Sequence, residues 1–125
     1  MLFNKQSMKT IYSKMSNIEY AIIIGAKGTG NSIKAQKLVQ NKKSVWIDAE
    51  SLVNDDFKKQ ITRDTEAIVI KNVTQYDQVK DLLNQKRLIV DNCTMKCRYI
   101  IITTSELTEN DIPTNFNGTL IKKIQ

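Results

Sequence analysis

The sequence predicts an α/β protein, a three-layer sandwich on a mainly parallel sheet. Short apolar runs of strand length recur along the chain, at residues 20–24 (YAIII), 44–48 (SVWID), 67–70 (AIVI), 87–91 (RLIVD), 98–103 (RYIIIT) and 119–124. Several are separated by segments with apolar residues at helical spacing, and such alternation gives parallel strands covered by helices on both faces. A chain of 125 residues is long enough for one core and short for two domains. Residues 1–19 have no clean period and read as a basic lead-in; residues 20–125 form the core.

The elements follow in order. The run 20–24 is ended by Gly25. Ile33, Ala35, Leu38 and Val39 then mark the inner face of a helix that stops at Asn41, Lys42 and Lys43. After the strand at 44–48, Leu52, Val53, Phe57 and Ile61 mark a second helix. Beyond 67–70, Tyr76, Val79, Leu82 and Leu83 mark a third, begun by Thr74 with Asp77 three residues on as an approximate capping box. Only about six residues separate Asp91 from Arg98, whereas a parallel crossover needs about a dozen. The strand at 87–91 is therefore expected to run antiparallel to its successor.

Composition excludes several functions. No run of about eighteen apolar residues is present, and residues 1–17 lack the apolar core of a signal peptide, so a cytoplasmic protein with no membrane partner is expected. There is no histidine, and Cys93 and Cys97 are the only cysteines. A four-ligand Cys/His zinc site within one chain, histidine acid/base catalysis and Ser-His triads are thereby excluded. The two cysteines are expected to be reduced structural thiols.

The net charge of +6 is unevenly placed. Residues 1–43 carry eight lysines and one acid; the remainder carries eleven basic and twelve acidic residues. The excess surrounds the glycines, where it would attract phosphate on a nucleotide or on a nucleic-acid backbone. A solvated basic surface is the plainer alternative.

Those glycines carry the most specific signal. A phosphate loop has the form G-x-x-x-x-G-K-[ST] between a strand and a helix. In "IIIGAKGTGNS" Gly25, Gly30 and Ser32 fill three of the four defined positions, and Asn31 stands where the lysine belongs. The glycines let backbone N–H groups converge on a phosphate, and the helix start adds the positive end of its dipole. The candidate nucleotide-binding residues are Gly25, Lys27, Gly28, Thr29, Gly30, Asn31, Ser32, Lys71 and Thr104, with Ser32 the one candidate for touching a metal and none assigned as catalytic. A G-x-G-x-x-G reading begun at Gly28 fails, because its third glycine would fall on Ile33. Mg²⁺ in a phosphate-loop enzyme also needs an acid ending a second buried strand, and "AIVIKN" ends in Lys71 and Asn72. Asp48 ends a strand about three positions from the loop strand, on the order of 14 Å away. Asp91 ends one expected to run the other way.

The order of motifs resembles the AAA+ ATPases in the wide sense, and within them the superfamily-three helicases of small viruses and mobile elements. The resemblance covers roughly residues 20–124. "IIIGAKGTGNS" looks like the first Walker motif, "AIVIKN" occupies the place of the second, and "YIIITTSEL" looks like the sensor strand, with Thr103, Thr104 and Ser105 as the polar residues at its end. "RLIVDNCTMKC" falls where those helicases place a DNA-contacting hairpin. The resemblance implies a P-loop NTPase core, ATP or ADP as ligand, and neighbouring ATPase subunits or nucleic acid as partners, the latter through the basic first third. The departures imply weak or no hydrolysis: Asn31 for the lysine, Lys71 and Asn72 for the acids, Asn115 near the place of an arginine finger, and no helical lid. Lys27 and Lys71 are the cations left to offset phosphate charge. A non-catalytic interaction or nucleic-acid-binding module on an inactivated ATPase core is the alternative.

Overall fold

The computed structural model describes residues 18–54, 56–85, 89–90 and 93–122. The basic lead-in predicted over residues 1–19 thus lies almost wholly outside the described residues. Numbered in chain order, the strands are β1 (Glu19–Ile24), β2 (Ser44–Asp48), β3 (Ala67–Lys71), β4 (Ile89–Val90), β5 (Cys93–Thr94), β6 (Tyr99–Thr104) and β7 (Thr119–Lys122). Five of them form one sheet in the order β2-β3-β6-β1-β7, every pair parallel.

The strands read as unbroken apolar runs because both faces of the sheet are covered. Tyr20 and Ile22 of β1, Ile68 and Ile70 of β3, and Ile100 and Ile102 of β6 enter one core. Their neighbours in sequence, Ala21, Ile23, Ala67, Val69 and Ile101, enter the other. On this second face lies helix α1 (Asn31–Leu38), which packs through Ala35 and, at its end, Val39. The first face is covered by 3₁₀ segments at Ala49–Asn54 and Asp56–Gln60, a 3₁₀ turn at Tyr76–Gln78 and the short helix α2 (Lys80–Leu83). Phe57, Ile61, Val79, Leu82 and Leu83 supply their buried contacts. Burial of each large aliphatic side chain in these two layers contributes about 1.5–3 kcal/mol.

Several expectations are corrected. The helix expected through Leu52, Val53, Phe57 and Ile61 is two 3₁₀ segments, and Val53 is 80% exposed. A 3₁₀ turn places side chains every third residue, so a pattern spaced for 3.6 puts Val53 on the outside. Ile33, assigned to the inner face of the first helix, is 60% exposed. Of the strand expected at 87–91, the described part, β4, pairs antiparallel with β5 in a separate two-stranded ribbon rather than with the strand at 98–103, so the hairpin closes on residues 93–94. The third helical segment is capped by Gln78 rather than by the Thr74/Asp77 pair, its Oε1 accepting the main-chain N–H of Thr74 at 2.8 Å and of Gln75 at 3.1 Å. The last strand, expected over 119–124, is described over Thr119–Lys122, and Ile124 lies outside the described residues.

Because all five strands run the same way, their carboxyl ends share one edge of the sheet. From β1 the chain leaves onto the α1 face. From adjacent β6 it leaves onto the other, where Leu107 is buried and Ile112 and Phe116 pack. Two neighbouring strands whose continuations diverge to opposite faces open a crevice at their carboxyl ends, the usual ligand position in open α/β sheets. No helix among the described residues is long and apolar enough to cross a membrane.

Candidate functional site

The crevice between β1 and β6 is a cleft of about 400 Å³, lined by Lys27, Gly28, Gly30, Asn31, Ser32 and Ile33 from the loop and α1, and by Asn72, Thr103, Thr104 and Ser105 from the ends of β3 and β6. Its size is in the range of small-ligand sites. Two glycines shape the loop. Gly28 has φ +82° and Gly30 has φ +91°, a left-handed conformation that costs residues with a Cβ about 1–2 kcal/mol. The turn between them is closed by Thr29, whose N–H and hydroxyl both donate to the Ala26 carbonyl, at 3.2 and 2.5 Å. Thr29 therefore braces the loop and does not face the cleft.

Helix α1 begins at Asn31, with Gly30 as its N-cap and no side-chain cap. Its first N–H groups have no intrahelical acceptor, and Gly30, Asn31 and Ser32 put this end of the helix on the cleft wall. This end of the helix therefore presents aligned donors and the positive end of its dipole to the cleft. Ser32 and Lys27 are both exposed there.

Asn31 turns inward. Its Nδ2 donates to the Gly25 carbonyl at 2.7 Å and to the Thr104 carbonyl at 3.3 Å, so both carboxamide hydrogens are spent on main chain. The two carbonyls also set the amide orientation, since the opposite one would set oxygen against oxygen. Oδ1 is left buried with no hydrogen-bond partner among the described residues. Gly25, itself buried, completes the tie by donating its N–H to the Thr104 carbonyl at 3.1 Å.

Thr104 is the hub of the opposite wall. Its hydroxyl donates to the Val73 carbonyl at 2.6 Å and accepts the N–H groups of Glu106 at 3.2 Å and Leu107 at 3.0 Å. Thr104 thus lines the cleft with its hydroxyl fully engaged, and of the polar residues ending β6 it is Thr103 and Ser105 whose side chains have no such ties in the described hydrogen bonds. Asn72, in left-handed conformation at φ +60°, donates from Nδ2 to Asp48 Oδ2 at 2.7 Å. That bond, followed by the Glu50 N–H on Oδ1 at 3.1 Å, holds the Asp48 carboxyl below its usual pKa, with the Lys71 charge adding to the effect. Asp48 therefore reaches the cleft only through Asn72, in keeping with a strand three places from β1.

Of the residues singled out in the sequence, the cleft gathers Lys27, Gly28, Gly30, Asn31, Ser32 and Thr104; Gly25 and Thr29 support it from behind. Lys71 is not on its wall: it pairs in register with Asp48 on the neighbouring strand. Asn115 is also elsewhere. It lines a second cavity of about 250 Å³ near the opposite end of β1, beside Tyr20 and Phe116. There burial pushes the Tyr20 phenol up to about 12, with Cys97 adding to it, and the hydroxyl donates to the carbonyls of Gln85 and, at 3.3 Å, Leu82. Burial likewise raises the Cys97 thiol to about 11, as suits a structural cysteine. Besides Asn72, which the sequence named only as standing where an acid was wanting, Ile33 is the wall residue missed in the sequence. Its position three residues after Gly30, in the first turn of α1, was the available signal.

Chemically, the cleft offers main-chain donors, one exposed lysine and hydroxyls, and no carboxylate on its wall. Among the described residues no group of three or more His, Cys, Asp or Glu is placed to hold a metal ion. No protein-family model matches this chain, and no curated protein matches it.

Proposed function

We propose that the chain is a phosphate-loop, AAA+-like domain that binds ADP or ATP in the cleft between β1 and β6, with weak or no hydrolysis, and works beside nucleic acid in replication or mobile-element maintenance. The observation that carries this reading is the start of α1 on the cleft wall behind two left-handed glycines. The phosphate chain would lie against the N–H groups of Gly28 to Ser32, with Lys27 offsetting its charge at the mouth. Mg²⁺ fits less well than phosphate, because Ser32 is the one metal candidate present and no acid accompanies it on the wall. Without a lysine at position 31, the chemical step lacks a donor of a kind whose removal costs enzymes roughly 2.7–4 kcal/mol.

Calorimetry with ADP and ATP, with and without Mg²⁺, tests the reading. Binding by either nucleotide below millimolar concentration is expected, with no steady phosphate release. Absence of binding at millimolar nucleotide overturns it, and sustained phosphate release that Ser32→Ala abolishes overturns the non-hydrolysing part.

A second reading, an interaction or nucleic-acid-binding module on an inactivated core, draws support from Asn31, whose side chain already holds the loop to β6. Part of the basic surface is committed within the fold, with Lys42 5.0 Å from the centre of the Tyr99 ring and Lys43 3.7 Å from Asp64. A salt-dependent shift with DNA or RNA and no response to nucleotide would favour this reading.

A further inference from the structure

We infer that the cavity of about 250 Å³ at the amino end of β1 is a binding site for one uncharged heteroaromatic base, supplied either by a free nucleoside or by an unstacked residue of single-stranded nucleic acid. Tyr20, which lines it, stands four residues before Ile24, roughly 13 Å along the strand. The cavity is therefore a site apart from the cleft between β1 and β6, and it does not depend on a nucleotide bound there.

Two short segments that carry carboxamide side chains meet at this cavity. Asn84 and Gln85 follow α2, and Asn115 and Asn117 flank Phe116 ahead of β7. All four are exposed, and none of their side chains takes part in the described hydrogen bonds. A carboxamide sets donor hydrogens beside an acceptor oxygen in one plane. That arrangement complements the edge of a base, and Asn and Gln are the side chains that pair with adenine in this way. Tyr76 and Phe116 add aromatic rings to the same wall, and such rings stack on any base because every base has a π-face.

The wall is held in place from behind. Tyr20 donates its hydroxyl to the carbonyls of Leu82 and Gln85, which ties the end of α2 to β1. The Phe116 N–H donates to the Pro113 carbonyl at 3.0 Å. A Cβ at position 118 would stand 2.5 Å from Phe116 Cζ and 2.6 Å from the Tyr20 carbonyl oxygen, so Gly118 is what lets the ring lie there. No Lys, Arg, Asp or Glu is among the described lining residues, so a phosphate or carboxylate would give up water without gaining a countercharge. A purely apolar ligand would cover four carboxamides without pairing them. The volume lies below the roughly 300–1,000 Å³ of drug-sized pockets, which suits one ring system rather than a whole nucleotide.

The test is an NMR titration of the isotope-labelled full chain, followed through its side-chain amide signals. The ligands are adenosine, uridine, a short single strand of deoxyadenosine, methyl glucoside and pyrophosphate. Millimolar adenosine or uridine is expected to shift the amide signals of Asn84, Gln85, Asn115 and Asn117. Replacing Asn84→Ala together with Asn117→Ala should weaken that binding about fivefold or more, the worth of one or two hydrogen bonds. A single strand that moves the same signals at a tenfold lower concentration assigns the base to nucleic acid, and one that brings no such gain assigns it to the free nucleoside. Signals unmoved by every ligand overturn the inference, as do equal shifts with methyl glucoside or pyrophosphate, or a folded double variant that binds as tightly as wild type. Nucleoside shifts confined to Asn31 and Asn72 overturn it while leaving the reading of the other cleft intact. The wild-type signals decide by themselves if the double variant does not fold.

Discussion

The hydroxyl of Thr104 donates to the Val73 carbonyl across 2.6 Å, joining the end of β6 to the segment that follows β3. The same oxygen accepts two main-chain N–H groups, Glu106 and Leu107, and so starts the segment that turns onto the far face of the sheet. One buried side chain therefore fixes both the rim of the cleft and the direction in which the chain leaves it. Thr104→Val keeps the shape but strands these groups, and a loss of about 1–3 kcal/mol is expected. Urea unfolding should show a lower midpoint at unchanged slope, with Thr104→Ser close to wild type. A Val variant as stable as wild type would remove Thr104 from this role.

Asp48 gives a pH signature. Its carboxyl is held below the usual value mainly by Asn72, then by the Glu50 N–H. A carboxyl depressed in the folded state binds its proton less readily than in the unfolded chain. Its contribution is therefore present above the unfolded value of about 3.9 and lost as pH falls through the lower folded value. Asn72→Ala should move the Asp48 titration, followed by carboxyl-carbon NMR, back towards ordinary aspartate. An unmoved titration would mean that the exposed pair does not persist in solution.

Gly118 and Gly28 should respond to alanine for different reasons. A Cβ on Gly118 would meet the Tyr20 carbonyl oxygen at 2.6 Å and Tyr20 Cβ at 2.9 Å, so β1 or its neighbour must shift. A cost of about 1–3 kcal/mol is expected, as for other overpacking. A Cβ on Gly28 meets nothing within 4 Å, and the penalty of about 1 kcal/mol comes from its positive φ alone. Denaturation midpoints rank the two variants, and a Gly118→Ala protein as stable as wild type would contradict the close approach of the two chains.

Val53 and Phe57 test the 3₁₀ layer. Both sit on one helical stripe in the sequence, yet Val53 is 80% exposed and Phe57 is 7% exposed. Val53→Ala should change stability by no more than about 0.5 kcal/mol, whereas Phe57→Ala should cost about 3–5 kcal/mol. Equal losses by thermal or urea unfolding would restore a continuous helix through both.

The strands of the sheet were legible because a strand buried on both faces must be apolar at every position, and residues 20–24, 67–70 and 98–103 are nearly so. The glycine loop was legible for a similar reason, since left-handed backbone at Gly28 and Gly30 favours residues without a Cβ. The turn that follows α1 was legible in Asn41, two residues beyond the C-cap Val39, whose φ of +65° suits an asparagine. Helical faces were less so. Whether Val53 or Ile33 is buried depends on how tightly a short segment winds and on what lies opposite, and neither is carried by the spacing of apolar letters. The partner of residues 87–91 was also hidden, because the short link pointed to a hairpin without saying which residues would close it.

Amino-acid order thus determined an α/β chain of apolar strands, with a glycine loop after the first and no histidine chemistry. Tertiary structure decided what the loop faces. Parallel register sets Ile24 beside Thr104, and that adjacency lets Asn31 spend both its hydrogens on Gly25 and Thr104. Lys71 and Asp48, at the ends of β3 and β2, are set in register with each other rather than on the cleft. Residues 73 positions apart meet because hydrogen bonding between strands acts across the sheet and not along the chain.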